Sequence, residues 1–502
     1  MRIGLNTAKA RMLPILVLAA ALAGARGQAL QTVAASTALS PAEQTVRDIK
    51  NPFDWLAWGG DLRIRNEYAD NTLSLTSREP LHSQDYFRFR GRVWATATVA
   101  TNVTLNARVS AEPREWMEPA TSSPFSPRPF SPRTANEGLE WRYGILDNAN
   151  LRLANLLEQP LSLTLGRQDI FMGDGWLVAD GTPGDRSWTF FLDAARAVWE
   201  VEEIKTKFDV SYVNMHAYAG DVIPTIGNSS SFNAYGGYTG YLLAEQDNQG
   251  AILSMANNSI EDMTLEAFFI WKNDTRVEGI ANGDNADIYT VGCSVSGATN
   301  RNWQYSAEGA YQCGSKEDPT VNIPRPEHGW RPVSSYGANA RLAYVFNDRW
   351  ENQVSLVGEF LSGDDPGTPG TDEMFDVLWG RRSRWSELHV NVFANETGGK
   401  SAQMNNMGRF GPGWSFSPVK DTTFSATYNV LISPESVPTR TLTPGRFSMD
   451  GNFRGHYLQA ILRHKFSAHL SAHLWGEWVW EGSYYRQQDV MTFLRAEVLL
   501  TF

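Results

Sequence analysis

Residues 86–112 read YFRFRGRVWATATVATNVTLNARVSAE, and this stretch decides the fold class. Between Tyr86 and Val99 the odd positions are mostly apolar, and the even positions are mostly arginine or threonine. Val103–Glu112 repeats this alternation after a three-residue turn. Successive side chains alternate between the two faces of a β-strand, whereas a helix repeats its face every 3.6 residues. The stretch therefore predicts a β-hairpin with one apolar face and one polar face.

The same alternation recurs along the chain and predicts a large antiparallel sheet. It is clear in six further segments: 263–273, 303–312, 336–346, 354–360, 422–431 and 470–481. Long and short connections alternate between strands, and Trp and Tyr lie near the predicted strand ends, as in outer-membrane barrels. The chain ends on Val498–Phe502, an alternating strand that finishes on an aromatic residue. We therefore predict an all-β fold, a transmembrane antiparallel β-barrel over residues 58–502 with long extracellular loops.

The composition and the first residues narrow the class of protein. The 502 residues include 44 Lys and Arg against 55 Asp and Glu, and this net charge of −11 argues against a nucleic-acid binder. Residues 1–27 combine a basic start, a short apolar stretch and small residues, which is typical of a secretory signal peptide. Its removal leaves 40 basic against 55 acidic residues, a net charge of −15. We expect residues 28–57 to form a short periplasmic segment of a protein in a Gram-negative-type outer membrane.

The two cysteines exclude a disulfide-stapled fold. Cys293 and Cys313 flank a predicted hairpin near residue 300, which leaves them about six residues, or ~20 Å, apart along the strand. A disulfide requires Cα atoms within ~7 Å of each other. We therefore predict two free thiols. The sequence contains no evident cofactor or metal motif, and we predict neither group.

The predicted number of strands depends on one segment near residue 410. If residues 405–416 are a spanning strand, the total is nineteen and the chain ends fall on opposite sides of the membrane. Bacterial barrels have even numbers of strands. Eighteen strands result if residues 396–420 are one long periplasmic connection that follows the extracellular loop 363–385, and twenty is the alternative. We predict eighteen.

Polar strand positions are expected to face the lumen, because Arg or Lys in contact with lipid costs about 2–4 kcal/mol at mid-depth. Arg88, Arg90 and Arg92 form a ladder on one strand that carries no acid. Their mutual repulsion requires acids on neighbouring strands or an anionic solute. The predicted substrate path is lined by Arg63, Arg65, Arg88, Arg90, Arg92, Arg108, Arg152, Arg167, Asp169 and Arg463.

Two compatible interpretations of these arginines remain open from the residues alone. They either pair with lumen acids and maintain the shape of the barrel, or they form an anion-conducting wall, since rings of Arg and Lys select anions in pores. The second interpretation predicts a passive channel for an anionic substrate, with no chemical step.

The chain resembles the alginate export family, outer-membrane porins through which some bacteria secrete an anionic polysaccharide. The resemblance is carried by WGGDLRIRNEY at 58–68, YFRFRGRVW at 86–94 with its continuation to 112–114, LGRQD at 165–169 and the closing strand. It extends over about residues 55–502 and includes no catalytic motif. It implies an eighteen-stranded barrel with an electropositive constriction, gated by an extracellular loop and a long periplasmic loop.

The resemblance also implies roles for individual residues. The pore-lining arginines of the family correspond to Arg63, Arg65, Arg88, Arg90, Arg92, Arg108 and Arg167, with Asp169 as a companion acid. The gating loops correspond to residues 113–138 and 396–420. The implied partners are an anionic polysaccharide or other anionic solute, outer-membrane lipid and a periplasmic export machinery. The proline-rich external loops and the acidic segment 363–376 depart from the family pattern and leave the polymer undefined.

Other functions remain as alternatives. The first is a general or anion-selective porin for small solutes. A barrel enzyme would need a nucleophile, a histidine and an orienting group, but Ser471 and His473 lie ~7 Å apart on one strand and have no evident third member. A surface adhesin that presents the long loops is a third alternative. The acidic segment 363–376 lacks the ligand spacing of a Ca²⁺ loop, and we interpret it as a solvated acidic loop.

Overall fold

The computed structural model describes residues 41–79, 82–117, 138–140, 144–179, 190–226, 243–280, 283–317, 329–380, 385–397, 404–438, 441 and 443–502. The predicted signal peptide 1–27 lies outside these residues. Two α-helices are present in the described part, α1 (Pro41–Lys50) and α2 (Leu388–Glu396). Neither of them is long and apolar enough to cross a membrane.

Twenty strands are present in the same described residues. They are β1 (Leu56–Asp70), β2 (Ser83–Ala100), β3 (Val103–Ala111), β4 (Arg114–Trp116), β5 (Gly138–Glu140), β6 (Gly144–Leu153), β7 (Leu161–Gln168), β8 (Leu192–Val201), β9 (Thr206–Met215), β10 (Gln246–Asn257), β11 (Met263–Arg276), β12 (Asn285–Thr299), β13 (Trp303–Glu317), β14 (Trp330–Val345), β15 (Gln353–Leu361), β16 (Met407–Val419), β17 (Thr422–Ile432), β18 (Phe453–Lys465), β19 (Leu470–Glu481) and β20 (Val490–Thr501). All except the short β4 and β5 belong to one closed antiparallel barrel of 18 strands, in which β1 pairs with both β2 and β20. The predicted fold class is confirmed.

The connections give the barrel its orientation. Eight turns of two to seven residues lie at one end, together with the N-terminal end of β1 and the C-terminal end of β20, and nine longer loops lie at the other end. Outer-membrane barrels have short periplasmic turns and longer extracellular loops. The end with the short turns is therefore periplasmic. Two of the extracellular loops are important below, L3 (169–191) and L7 (362–406).

The total of eighteen strands is as predicted, but the assignment near residue 410 is wrong. Residues 407–419 form β16, so the predicted periplasmic connection 396–420 does not exist. Pro412 lies within β16, and the ladder to β17 is interrupted between Phe410 and Gly413. Proline has no N–H to donate, which explains the gap. The periplasmic turn after β16 consists of residues 420–421 alone.

The predicted connections left residues 386–395 as a strand, and this segment instead contains α2. The backbone amides of Glu387 and Leu388 donate to the Glu477 carboxylate of β19, at 2.9 and 3.1 Å. The first amides of a helix have no partner within the helix, and an anion there is favourable. A carboxylate on the barrel wall thus stabilises a helix where the local alternation of apolar residues predicts a strand.

Outward-facing residues form the lipid-exposed surface. On β1, Leu62 and Ile64 are exposed, whereas Arg63 and Arg65 are buried on the opposite face. Outward aromatic residues form two bands, and the band near the short turns is called the periplasmic girdle below. The girdle consists of Trp58, Trp199, Phe208, Trp303, Tyr344, Phe346, Trp414, Phe424 and Phe502. Such bands mark the two interfaces of the membrane. Cys293 and Cys313 are exposed free thiols, as predicted.

The lipid-facing surface provides a direct test of the barrel. Val291 is 52% exposed near the middle of β12. Val291→Arg is expected to lower the free energy of unfolding by about 2–4 kcal/mol, because it places a charge at mid-depth in lipid. The matched control is Thr299→Arg at the periplasmic end of the same strand, where the cost is about 0–1 kcal/mol. Urea titration of the refolded protein in vesicles measures both values, and equal costs would contradict the membrane placement of β12.

The described residues of loops L3 and L7 fold into the barrel and pack together in its extracellular half. The backbone amide of Trp379 in L7 donates to the Leu177 carbonyl of L3 at 3.0 Å. The rings of Trp176 and Phe375 stack with centroids 5.3 Å apart. The same buried core includes side chains from the barrel wall, among them Ile252, Ile270 and Ile288. Among the described residues, the extracellular half of the lumen therefore contains a packed hydrophobic core.

The predicted extracellular gating loop 113–138 lies mostly outside the described residues. Its described ends are Arg114–Trp116 and Gly138–Glu140, which pair with each other as β4 and β5. β4 also pairs with β2. This part of the loop is sheet, although its prolines predict an extended segment without sheet.

Candidate functional site: an arginine cluster, a basic chamber and an anchored loop

Six arginines meet where the first and last strands of the barrel join, and we call them the seam cluster. Its members are Arg63 and Arg65 on β1, Arg88, Arg90 and Arg92 on β2, and Arg495 on β20. All except Arg92 are buried. The register explains why they meet, because Arg63 lies opposite Arg90 and Arg65 lies opposite Arg88. The alternation thus brings five of the predicted path residues together.

Acids on neighbouring strands compensate these charges. Glu112 accepts hydrogen bonds from Arg88 at 2.6 Å and from Arg63 at 3.3 Å. Glu67 lies 2.7 Å from Arg495. Two more ion pairs are Arg92–Asp61 and Arg65–Glu497. Burying a charge is costly unless it is paired and hydrogen-bonded, so this network is what allows the ladder to exist.

A basic chamber opens at the periplasmic end, below the seam cluster. This cavity of about 640 Å³ is bounded by the periplasmic turns at 420–421 and 466–469. Its cationic lining residues are Arg63, Arg90, Arg92, Arg463 and Lys465, and its acids are Asp421 and Glu497. Arg463 and Lys465 are exposed. Clefts lined by charge of one sign focus the electric field and raise the local concentration of counter-ions, so the chamber favours anions.

Four other predicted path residues lie away from the seam cluster. Arg108 bridges Asp147 at 2.9 Å and Asp169 at 2.7 Å. Arg167 pairs with Asp193 at 2.9 Å rather than with Asp169. Arg152 is exposed at the periplasmic end of β6, opposite threonines of β3 and β7. Arg108 and Asp169 therefore form the predicted kind of arginine–acid pair, while Arg152 and Arg167 are not part of one continuous array with the seam cluster.

Loop L7 is anchored to the barrel wall along its length by ion pairs. The pairs are Asp364 and Asp372 with Arg331 at 3.3 and 3.0 Å, Asp376 with Lys272 at 3.4 Å, Glu387 with Arg495 at 3.1 Å, and Glu396 with Arg454 at 2.5 Å. The interpretation of 363–376 as a solvated acidic loop is wrong, because Asp364, Asp372 and Asp376 are at most 3% exposed. The acids of L7 therefore neutralise cations of the lumen wall.

The start of α2 carries a buried polar cluster. The Ser386 hydroxyl donates to Glu477 at 2.5 Å and lies 3.0 Å from His389 Nδ1. Burial and the nearby positive charges of Arg454 and Arg409 hold the pKa of His389 well below its ordinary value, so the imidazole is neutral. Ser386 and His389 are almost inaccessible to solvent. The cluster therefore stabilises the helix within the barrel.

Arg454 is the residue that the alternation misassigns. Arg463 lines the chamber, and alternate residues before it on β18 are expected on the same inner face as far back as residue 455. Arg454 is then predicted on the outer face. Gly455 has φ +133°, and the register with β17 shifts at this point. Such a bulge inserts one residue and reverses the faces beyond it. The sequence signal for this bulge is a glycine that precedes a run of alternating residues, and this signal is weak.

Comparison with known proteins agrees with this architecture. The family model described as alginate export matches residues 249–498, about half of the chain. A search of curated proteins found no relative. A BenF-like porin from Pseudomonas fluorescens Pf-5 is similar in structure, with a TM-score of 0.52 and 8% identity over 90% of this chain and 99% of that one. OccK5 (OpdH) of Pseudomonas aeruginosa has a TM-score of 0.50 and 10% identity over 89% and 98% of the two chains.

The structural neighbours are so distant in sequence that they establish the fold alone. The family match, together with the barrel fold, supports an outer-membrane channel of a Gram-negative bacterium. The chain is an outer-membrane β-barrel protein whose residues 249–498 match the alginate export family.

Proposed function

We propose that this protein is a passive channel for an anionic polysaccharide of the alginate type, which a periplasmic export machinery delivers to the barrel. The basic chamber is the observation that carries the proposal, because it is open to the periplasm and is lined by five cations against two acids. Its cations attract a polyanion and compensate part of its desolvation, and lumen acids prevent tight binding. The family match supports the same class of substrate.

A channel for small anions is the second candidate. It is supported by the packed core of L3 and L7, which narrows the extracellular half of the lumen. It is also supported by the porin neighbours of the fold. The two candidates share the chamber and differ in whether L7 must leave the lumen during transport.

The chamber charges are testable without disturbing the buried network. Neutralising Arg88, Arg90 and Arg92 would remove the partners of buried acids and destabilise the region where the first and last strands of the barrel join. Arg463 and Lys465 are exposed chamber residues and are better targets. Local enrichment of counter-ions in such clefts is on the order of 10- to 1,000-fold. Arg463→Gln/Lys465→Gln is therefore expected to weaken anion selectivity. Under a KCl gradient, the reversal potential of the channel should move towards the equilibrium potential of K⁺.

The control is Arg301→Gln, an exposed residue in the β12–β13 turn that does not line the chamber. We expect its reversal potential to equal that of the unaltered protein. Oligouronate added to the periplasmic side should block the unaltered channel, and block should weaken in the chamber variant. A channel that conducts small anions but ignores oligouronate would favour the second candidate. A cation-selective or non-selective channel would contradict both.

A further inference from the structure

The segment that precedes the barrel exposes large apolar side chains. It begins in the last turn of α1 and leads into β1, and the exposed fractions of Ile49, Phe53 and Trp55 are 54%, 57% and 52%. The rings of Phe53 and Trp55 stack with centroids 5.5 Å apart. Three large apolar side chains are thus exposed within seven residues, and clustered exposed apolar surface marks an interaction site.

This segment is fixed to the outer face of the barrel. The indole Nε1 of Trp58 donates to the Ile49 carbonyl at 2.6 Å. Trp58 shares the face of β1 that carries the exposed Leu62, and its ring contacts Phe502 edge-on at 5.6 Å. The Thr98 amide donates to the carbonyl of Trp55 at 2.8 Å. The end of α1 therefore lies beside the lipid-facing wall.

The depth of this contact is set by the barrel itself. Trp58 and Phe502 are members of the periplasmic girdle, which marks the level at which acyl chains meet headgroups. Aromatic side chains with a polar edge are favoured at this level. Ile49, Phe53 and Trp55 continue the girdle from the strand ends onto the preceding segment.

We propose that residues 49–55 bind the periplasmic leaflet of the outer membrane, with Ile49, Phe53 and Trp55 inserted at the boundary between headgroups and acyl chains. The partner is a phospholipid surface. Arg47 and Lys50 are accompanied by Asp48 and Asp54, so the charges of the segment balance. The binding energy then comes from buried apolar area, and it does not require anionic lipid.

The test places a nitroxide label at single cysteines in the full mature chain, with Cys293 and Cys313 replaced by serine. The labelled positions are Ile49 and Phe53, with exposed Gln44 on α1 as the matched control. Leu253 on the barrel wall and Asp262 in a periplasmic turn serve as lipid and water references. In proteoliposomes, each label's accessibility to oxygen and its accessibility to a nickel chelate are measured. We expect the ratio of the oxygen accessibility to the nickel-chelate accessibility to be higher at Ile49 and Phe53 than at Gln44. The ratio should be equal in zwitterionic and anionic vesicles.

Two results would overturn the proposal. Labels at Ile49 and Phe53 that are as accessible to the nickel chelate as Asp262 would show that the segment lies in water. Immobile labels that neither reagent reaches would show that a protein, either a second copy or a periplasmic partner, covers the segment. Phe53→Ser/Trp55→Ser should lower the ratio at Ile49, and the heat-dependent gel shift of the barrel verifies that each variant folds.

Discussion

Glu396→Gln is expected to release L7 from the lumen and to raise the conductance of the channel. Arg454 is fully buried and donates to both oxygens of Glu396, at 2.6 and 2.5 Å. Removing one partner of a buried ion pair costs about 3–5 kcal/mol, because the remaining charge is left uncompensated. Only the state with L7 inside the barrel bears this cost, since Arg454 is hydrated once L7 leaves. At about 1.4 kcal/mol for each factor of ten, the equilibrium shifts by on the order of 10²–10³ towards release.

Planar-bilayer recordings measure the conductance, and limited proteolysis within residues 362–406 measures the release of L7 directly. Glu351→Gln is the matched control, because Glu351 is an exposed carboxylate in a periplasmic turn. Glu396→Gln/Arg454→Met removes both charges and should recover part of the closed state. Unchanged conductance together with unchanged protease resistance in Glu396→Gln would show that the pair does not hold L7.

Arg65→Met is expected to cause the largest loss of stability among the predicted path residues. Arg65 is fully buried and pairs with Glu497 across the β1–β20 seam. It also lies 3.7 Å from Glu67 on its own strand. Without Arg65, the buried carboxylates of Glu67 and Glu497 lose one of the cations that neutralise them. The free energy of unfolding is therefore expected to decrease by about 3–5 kcal/mol. Urea titration of refolding into vesicles, followed by tryptophan fluorescence, measures this decrease.

The control for Arg65→Met is Arg301→Met in the exposed β12–β13 turn, where we expect a change within about 0.5 kcal/mol. A double-mutant cycle with Glu497→Gln isolates the interaction across the seam. If Arg65→Met costs no more than the control, the arginines of the seam do not stabilise the barrel, and a role in conduction alone would then explain the ladder.

The barrel itself could be predicted from sequence because its signal is local. A strand alternates with period two, and the lipid outside demands apolar residues on one face. That rule assigned the arginines of β1 and β2 to the inner face, where the structure buries all of them except Arg92. It failed at Arg454, because the bulge at Gly455 reverses the faces and depends on hydrogen bonds to both neighbouring strands.

Parity excluded nineteen strands but left eighteen and twenty open, and the segment that forms the strand near residue 410 was not predictable. Residues 388–394 alternate as a strand would, and they fold as α2 because Glu477 lies where the first helical amides need an acceptor. β16 contains two prolines and three glycines, yet its residues 407–415 pair with β15 without interruption. Local preference is weak compared with burial and pairing, so distant neighbours decided both segments.

The sequence by itself determined the barrel, its free thiols and the polar face on which the arginines lie, since each follows from spacing along the strands. Parity excluded nineteen strands and left eighteen and twenty open. Only the tertiary structure decided which charges meet. The seam joins residues more than 400 positions apart, as in Arg65 and Glu497, and the acids of L7 reach cations on four strands of the wall. A charge is visible in the sequence, but its partner depends on how the barrel closes and on which loops enter it.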